Sequence, residues 1–317
     1  MSAIISGVGV YYPENILTNA DLEKLVDTSD TWIRERTGIE ERRILPKDSK
    51  MKASDLGVRA SEAALKKAGI QPEELDGIIV AGLNPDMQFP ATACFIQDKL
   101  GAKGFAFDVT AACAGFVYGV NMASLFINSG QCKKVLVVGA ELISPVVDWT
   151  DRNTCILFGD AAGAVVLTHS EDKDRGVFDS YLESKGAAHD ILSLGLMDKE
   201  GNQAISMDGR QVFKLAVKSL SEVVKNCLEK NNLTVKDVNL AVFHQANSRI
   251  LSAVATKLGL EEEQLIINVQ KFGNTSSASI PLALAEAEEA GRIKKGDLVV
   301  FAAIGGGMSW GCNLIRW

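Results

Sequence analysis

The sequence contains few of the patterns that assign a chain to a secreted, membrane or disulfide-rich class of protein. None of its six cysteines belongs to a CxxC pair, and a chain of 317 residues needs no disulfide framework, so we expect reduced thiols. No apolar run is as long as a membrane span, and the first residues have no basic leader. The sequence therefore predicts a cytoplasmic protein with no membrane segment.

Basic residues and the common nucleotide and metal motifs are also scarce. Lysine and arginine number 33 against 40 acidic residues, and no basic tail is present, which argues against binding of nucleic acid or a membrane surface through bulk charge. No HExxH motif, Walker-type loop or clustered metal-ligand spacing occurs, so we predict no metal site. The glycine run 305–311 lacks the GxGxxG spacing, and residues 312–317 are typical of another strand, which disfavours a dinucleotide-binding fold.

An internal repeat is the main pattern that the sequence does contain, with the same series of elements recurring after about 160 residues. The first half is predicted to contain a helix over 53–68, an apolar strand over 77–82, a strand, turn and helix around Cys113, and an apolar strand over 134–139. The second half is predicted to contain a helix over 213–228, a strand over 240–243, the segment 266–270, a helix after Pro281 and a strand over 298–301.

Continuous apolar strands between helices are typical of strands buried on both faces of a sheet. Each half should therefore form a mixed sheet layered with helices, in an α/β fold. The charged run 171–176 interrupts the pattern and marks a boundary between halves 1–172 and 173–317.

Cys113 follows the β-prone run 105–109 and precedes helix-like apolar spacing, so it is predicted to lie in a strand-to-helix turn. Unpaired backbone N–H groups and the helix dipole at such a turn can lower a cysteine pKa to about 3.5–7.5, so we expect the thiolate to be favoured. The small neighbours Ala112 and Ala114 leave room for a substrate. The alternative is that Cys113 is a small buried hydrophobic residue.

His244 and Asn274 are the side chains that give Cys113 chemical partners. His244 directly follows the strand 240–243, although a histidine there can also be a satisfied core or cap residue. Asn274 lies in a segment typical of a helix N-cap, in the loop that the repeat places opposite Cys113, so the two loops should converge at one crevice. A cysteine, a histidine and an asparagine at strand ends indicate covalent acyl transfer through a thioester, while a cysteine hydrolase would use the same residue types. His169 and His189 are expected in surface loops.

The glycine run 305–307 allows a backbone N–H to approach a bound carbonyl closely. An oxyanion hole formed by the N–H groups of Cys113 and Gly306 is one interpretation, and a strained hairpin turn is the other.

These motifs together resemble the β-ketoacyl-acyl carrier protein synthase III family, the initiating condensing enzymes of type II fatty acid synthesis. The resemblance extends over most of the chain. Its motifs are GVGVYYP at 7–13, TWIRERTGI at 31–39, AAC at 111–113, FGDAAGA at 158–164, HQAN at 244–247, GNTS at 273–276 and GGG at 305–307. The resemblance implies a thiolase-like fold, with two pseudo-symmetric βαβαβαββ halves in a five-layered α-β-α-β-α sandwich, and a homodimer.

The resemblance also implies a ping-pong reaction without a permanently bound cofactor. Cys113 would take the acyl group from a short acyl-CoA, expected to be acetyl-CoA. Malonyl-ACP would then bind, and His244 and Asn274 would hold its thioester carbonyl during decarboxylation and condensation to a 3-oxoacyl-ACP.

Binding residues follow from the same resemblance. The expected coenzyme A contacts are Thr28, Trp32, Arg36, Arg152, Gly209, Phe213, Ala246 and Asn247. The expected contacts with acyl carrier protein are Lys214, Gln245, Ala246, Asn247, Ser248, Arg249 and Lys257. The expected acyl pocket consists of Leu142, Phe158 and a Phe89 that reaches across from the partner subunit.

Two other functions remain open at this point. A related Cys-His-Asn enzyme of the same fold could condense acyl-CoA with malonyl-CoA in secondary metabolism or long-chain ketone synthesis. A catalytically silent acyl-CoA binder would be expected to lack at least one of Cys113, His244 and Asn274, and all three are present.

Overall fold

The computed structural model of the protein describes residues 2–195 and 203–317. The helices and strands of the first half are β1 (Ser2–Tyr11), β2 (Ile16–Thr18), α1 (Asn19–Leu22), α2 (Asp30–Thr37), β3 (Glu41–Arg43), α3 (Ala53–Ala68), β4 (Gly77–Ala81), α4 (Thr92–Leu100), β5 (Phe105–Val109), α5 (Gly115–Asn128), β6 (Lys134–Glu141) and β7 (Ala161–Ser170). Those of the second half are β8 (Gly176–Ser184), β9 (Leu192–Leu194), β10 (Ile205–Met207), α6 (Gly209–Lys230), β11 (Leu240–Phe243), α7 (Ser248–Leu258), α8 (Val269–Phe272), α9 (Ser279–Glu289), β12 (Leu298–Gly305) and β13 (Ser309–Arg316).

Two sheets repeat the same strand order. The first sheet has the order β1-β7-β6-β4-β5, with β4 parallel to β5 and β6 and with β7 antiparallel to β1 and β6. The second sheet, written from its other edge, has the order β8-β13-β12-β11, with the same parallel and antiparallel pattern. The counterpart of β5 is reduced to a single bridge between Ala241 and Leu265. The repeat and the mixed sheets expected from the sequence are therefore confirmed.

Helices form three layers around the two sheets. α5 lies in the middle, in contact with β4 and β6 of the first sheet and with β12 and β13 of the second, and α9 lies beside it against β1, β7 and β11. α3 and α4 cover the outer face of the first sheet, and α6 covers that of the second. The middle helices are apolar on most sides because both sheets bury them. The five-layered arrangement is confirmed.

One glycine allows the two halves to approach each other near the strand ends. A Cβ atom at Gly139 of β6 would lie 2.5 Å from the carbonyl oxygen of Ser277, a distance that real Cβ atoms do not tolerate. The 3-10 turn Ser276–Ala278 of the second half can therefore sit directly on the first sheet.

Several local expectations can be compared with the structure. The helix 53–68 and the strand 105–109 have the predicted bounds. The segment 266–270 is not a strand, since α8 begins within it, and α9 begins before Pro281 because proline is tolerated in the first turn of a helix. His169 lies in β7 rather than in a loop. The run 171–176 connects β7 of the first sheet to β8 of the second, and residue 1 of the proposed first half lies outside the described residues.

Candidate active site

Cys113 lies between β5 and α5, in the 3-10 turn Ala112–Ala114. Ala112 adopts a φ of +44°, which is unusual for a residue with a Cβ atom and makes the turn sharp. The turn points the side chain of Cys113, which is 6% exposed, at the lining of a cavity of about 890 Å³. The predicted strand, turn and helix are therefore present, with a 3-10 turn in place of the first turn of the α-helix.

The prediction that Cys113 favours the thiolate form is wrong for the free protein. Burial is the main reason that the pKa of Cys113 is raised to about 12, and the nearby carboxylate of Glu141 contributes to the same shift. The desolvation cost of a charge at this depth exceeds what a helix N-terminus one turn away can offset. Cys113 is therefore a thiol in the free protein.

His244 lies at the carboxyl end of β11 and lines the same cavity. Its backbone N–H donates to the carbonyl of Ala302 at 2.8 Å, and its Nδ1 lies 2.7 Å from the hydroxyl oxygen of Ser279. Burial lowers the pKa of His244 to about 4, so the imidazole is neutral at physiological pH. The ring is therefore neutral and is held at Nδ1 by Ser279, at the lining of the cavity.

Asn274 reaches the cavity from the second half. Its backbone N–H donates to the carbonyl of Leu157 at 2.8 Å, and its own carbonyl accepts from the N–H of Gly159 at 3.1 Å. Its side-chain Oδ1 accepts a 2.9 Å hydrogen bond from the N–H of Ser276. Because the oxygen of the amide is used in this way, the amide nitrogen is left to donate into the cavity.

The structural counterpart of Cys113 is Ser277, not Asn274. The turns Ala112–Ala114 and Ser276–Ala278 each begin with a non-glycine residue of positive φ and lead directly into α5 and α9. The two turns contact each other, so the predicted convergence of the loops is confirmed. Asn274 precedes the second turn, so the predicted pairing of Asn274 with Cys113 was wrong.

The glycine run forms the hairpin between β12 and β13, as one of the two interpretations predicted. A Cβ atom at Gly305 would lie 2.6 Å from the backbone nitrogen of Cys113, so only glycine allows the hairpin to come so close to the nucleophile. Gly306 lines the cavity beside it. The oxyanion-hole role of Gly306 and Cys113 remains a prediction.

The walls of the cavity come from both halves of the chain and are mainly apolar. Sequence reasoning missed the apolar residues of the β9–β10 hairpin, and it missed Arg210 and His189, which also line the cavity. The missed apolar residues are Leu192, Leu194, Ile205 and Met207. Their alternation along two short segments is a period-two pattern that could have predicted a hairpin with one apolar face.

Within 2–195 and 203–317, no group of three or more histidine, cysteine or acidic side chains could hold a metal ion. The same residues include no helix long and apolar enough to cross a membrane.

Comparison with known proteins places the chain in a family. The family model "3-Oxoacyl-[acyl-carrier-protein (ACP)] synthase III" matches residues 107–186, and the model of its C-terminal region matches residues 228–317. The β-ketoacyl-[acyl-carrier-protein] synthase III of Aquifex aeolicus (strain VF5) is 49% identical over 318 residues, with 100% of each chain covered. The chain belongs to the 3-oxoacyl-ACP synthase III family.

Other relatives of this synthase agree with the assignment. The β-ketoacyl-[acyl-carrier-protein] synthase III of Clostridium tetani is 47% identical, with 99% of this chain and 98% of that protein covered. The crystal structure of the Aquifex aeolicus 3-oxoacyl-[acyl-carrier-protein] synthase III matches with a TM-score of 0.94, over 99% of this chain and 100% of that one. The synthase therefore has the thiolase-like fold, and it is an acyltransferase of the condensing-enzyme type.

Aromatic and basic side chains surround the mouth of the synthase's cavity. The guanidinium groups of Arg36 and Arg152 lie 4.6 and 4.9 Å from the ring centroid of Trp32, and Arg249 lies 5.6 Å from that of Phe213. The expected coenzyme A contacts that line the cavity are Trp32, Arg36, Gly209, Phe213, Ala246 and Asn247. Arg152 lies outside the lining and contacts the ring of Trp32. Thr28 is half-buried and also lies outside the lining.

The expected carrier-protein contacts divide into exposed and buried residues. Lys214, Arg249 and Lys257 are exposed, and Ser248 is half-buried. Gln245 is 1% exposed, and its side chain bonds the backbone of Phe243, Ile266 and Asn268. Gln245 therefore holds the β11 end in place and cannot touch a partner protein, so that prediction was wrong.

Of the expected acyl-pocket residues, only Phe158 lines the cavity of its own chain. Leu142 packs against the core of the first sheet and lies outside the lining formed by one chain, so its place in the acyl pocket stays a prediction. Phe89 is 83% exposed and lies outside the lining.

Proposed function

We propose that the protein catalyses the decarboxylative Claisen condensation of acetyl-CoA with malonyl-ACP. The products are a 3-oxoacyl-ACP, coenzyme A and CO2, and the reaction initiates fatty acid biosynthesis. The observation that carries the proposal is the convergence of Cys113, His244 and Asn274 on one largely apolar cavity, in a chain of the synthase III family. We infer that the active form is a homodimer in the cytoplasm, with the exposed Phe89 closing the pocket of the partner.

In the first half-reaction, Cys113 attacks the thioester carbonyl of acetyl-CoA. The bond between Sγ and the acyl carbon forms, the bond from that carbon to the CoA sulfur breaks, and the thiol proton ends on coenzyme A. The backbone N–H groups of Cys113 and Gly306 are proposed to donate to the carbonyl oxygen as it becomes negative. Trp32 and its two arginines suit the adenine and phosphates of coenzyme A at the mouth.

In the second half-reaction, malonyl-ACP occupies the place that coenzyme A has left. Loss of CO2 leaves an enolate whose oxygen is negative, and this oxygen is where His244 and Asn274 can donate hydrogen bonds. The hydroxyl of Ser279 accepts from the N–H of Gln245 at 3.2 Å, so its own proton is available to Nδ1 of His244. That arrangement leaves the proton of the neutral ring on Nε2, the nitrogen that Ser279 does not occupy. The enolate carbon then attacks the acyl-cysteine.

Intact-mass analysis after mixing the protein with acetyl-CoA tests this proposal. The wild-type chain should gain one acetyl group, and Cys113→Ala should gain none and lose condensation entirely, because no other cysteine lines the cavity among the described residues. Cys94→Ala, which removes a cysteine on α4 outside the lining, is the matched control and should acylate normally. An adduct that survives Cys113→Ala would contradict the covalent mechanism. The same measurement on the wild-type chain with bulkier acyl-CoAs reports the size of primer that the cavity accepts.

Carrier binding can be tested through the charge at the cavity mouth. Arg249 lies in the first turn of α7 and lines the cavity, whereas Lys257 lies near the other end of the helix, about 12 Å away at 1.5 Å per residue. We expect Arg249→Glu to raise the KM for malonyl-ACP about 10-fold, more at low salt than at high salt, since an acidic carrier is attracted by charge. Lys257→Glu should change this KM less. Equal effects of the two reversals would contradict docking at the mouth.

A further inference from the structure

The segment 276–279 holds both of the side chains that are proposed to bind the enolate. The backbone N–H of Ser276 donates to Oδ1 of Asn274 at 2.9 Å, and the hydroxyl oxygen of Ser279 lies 2.7 Å from Nδ1 of His244. The segment begins as a 3-10 turn and continues into α9. The orientation of Asn274 and His244 therefore depends on where this short segment lies.

A carboxyl group from the other half of the chain contacts this segment. Oε1 of Glu141, at the end of β6, accepts hydrogen bonds from the backbone N–H of Ser277 at 3.0 Å and from its hydroxyl at 2.6 Å. The other oxygen, Oε2, accepts from the backbone N–H of Leu83 at 3.1 Å. The N–H groups of the consecutive residues Ser276 and Ser277 therefore bond Asn274 and Glu141 respectively.

The strand β6 accommodates the segment at two positions. Gly139 and Glu141 are two residues apart on this strand, so they face the same side of the sheet. The carbonyl oxygen of Ser277 lies only 2.5 Å from the place that a Cβ atom of Gly139 would occupy. Gly139 therefore leaves room for the turn, and Glu141 bonds it.

The burial of Glu141 is costly, and its contacts explain why an acid stands at this position. It is fully buried, and within 2–195 and 203–317 no cation contributes to its surroundings. An acidic group buried without a cation is less favourable than an apolar residue of similar volume. Ser277 and Leu83 present donors at two different places, and a carboxyl group offers an acceptor oxygen to each.

We propose that Glu141 is a positioning residue for the decarboxylation half-reaction, acting through the segment 276–279 on Asn274 and His244. The inference rests on the proposed function. In that mechanism the attack of Cys113 on acetyl-CoA uses neither of the two enolate donors. Loss of the Glu141 carboxyl group should therefore slow decarboxylation of malonyl-ACP and leave acetylation of Cys113 close to the wild-type rate.

Separate kinetics of the two half-reactions in Glu141→Ala test the proposal. We expect kcat for release of CO2 from malonyl-ACP to fall about 30-fold, an effect of the order that a small misplacement of catalytic groups causes. The KM for malonyl-ACP should stay within about threefold, because the donors act in the transition state. Acetylation of Cys113, followed by intact mass, should also stay within about threefold.

Glu141→Gln is the conservative variant, and it retains an acceptor for one of the two contacts. Its amide oxygen should face Ser277, which offers two donors, and its amide nitrogen should take the place of Oε2 beside the N–H of Leu83. We expect Glu141→Gln to release CO2 about 10-fold faster than Glu141→Ala, because the turn is still held. If the two variants decarboxylate equally slowly, the Ser277 contact does not position the donors and the proposal fails.

Ser277→Ala tests the same contact from the other side, and it decides the question even if Glu141→Ala does not fold. This variant loses the hydroxyl but keeps the backbone N–H, so CO2 release should fall by only about fivefold. The double variant should be no more than about twofold slower than Glu141→Ala, since both substitutions remove one contact. Losses that multiply in the double variant would overturn the proposal.

Asn313→Ala is the matched control for the loss of a buried polar group. Asn313 of β13 is fully buried and bonds the carbonyl of Val117 and the hydroxyl of Ser180. Its replacement should leave the ratio of the two half-reaction rates unchanged. Normal decarboxylation by Glu141→Ala, or equal losses of acetylation and decarboxylation, would overturn the positioning role alone. Absence of an acetyl adduct on the wild-type protein would overturn the proposed function, and this role with it.

Discussion

Replacing Asn274 by alanine should slow the loss of CO2 from malonyl-ACP by about 100- to 1000-fold, the usual effect of removing one donor to a developing oxyanion. The amide nitrogen of Asn274 faces the cavity because Oδ1 is engaged by the N–H of Ser276. The donor is used only when the enolate forms, so acetylation of Cys113 should stay within about threefold. Release of CO2 and the intact mass of the acetyl-enzyme measure the two half-reactions separately.

Asn274→Asp is the matched variant for this experiment. It keeps the shape of the side chain and the acceptor for Ser276, but it replaces the N–H donors with an oxygen that repels the enolate. We expect it to decarboxylate no faster than Asn274→Ala. Asn128→Ala, at the exposed end of α5, should behave as wild type. Normal decarboxylation by Asn274→Asp, or loss of acetylation with decarboxylation intact, would contradict the assigned role.

Arg42→Met should lower the free energy of unfolding by about 3–5 kcal/mol, the largest stability effect that we expect of a single substitution in this chain. The guanidinium is fully buried, and burial lowers its pKa to about 10. It donates to the carbonyls of Leu17 and Ile156 at 3.2 and 2.7 Å and to Oδ1 of Asn19 at 2.9 Å. Methionine fills similar space but leaves these three acceptors without a donor. Urea unfolding followed by circular dichroism measures the change.

Arg59→Met is the control for Arg42→Met, because Arg59 is exposed and lies over the ring of Tyr11. This substitution should lower the free energy of unfolding by less than about 1 kcal/mol. Arg42→Lys keeps the charge but not the planar set of donors of the guanidinium, so its loss of unfolding free energy should lie between those of Arg42→Met and Arg59→Met. If Arg42→Met and Arg59→Met destabilise the protein equally, the buried network is not what holds the segment 156–158 against the site.

The sequence predicted the repeated architecture well because apolar periodicity reports burial. The helix over 53–68 and the strand over 105–109 are bounded by turn residues, and both appear with the expected ends. The strand ends carrying Cys113 and His244 could be located for the same reason. The segment 266–270 was harder, since it is as apolar as a strand, but the single bridge to β11 is made by the preceding residue, Leu265, and α8 begins at Val269.

The pKa of Cys113, the hydrogen-bond partners of Gln245 and the equivalence of residues in the two halves could not be predicted in the same way. The pKa of Cys113 depends on how completely the cavity walls exclude water, and those walls include the β9–β10 hairpin, which is far from Cys113 in sequence. The sequence HQAN places Gln245 beside His244, but only the fold shows that its side chain turns inward to bond Ile266 and Asn268. The equivalence of Cys113 and Ser277 could be identified only from the positive φ angles at the start of the two turns.

Cys113 and Ser277 occupy equivalent positions in the two halves of the repeated fold but have different surroundings. Two equivalent turns offer two places for a nucleophile, but one acyl group needs only one. At the second place the Ser277 hydroxyl is bonded to Glu141 and to the carbonyl of Ala81, both in the other half. In the proposed reaction the first turn carries the nucleophile, whereas the equivalent turn of the second half bonds the two halves together, so the same repeated turn serves catalysis at one position and the cohesion of the molecule at the other.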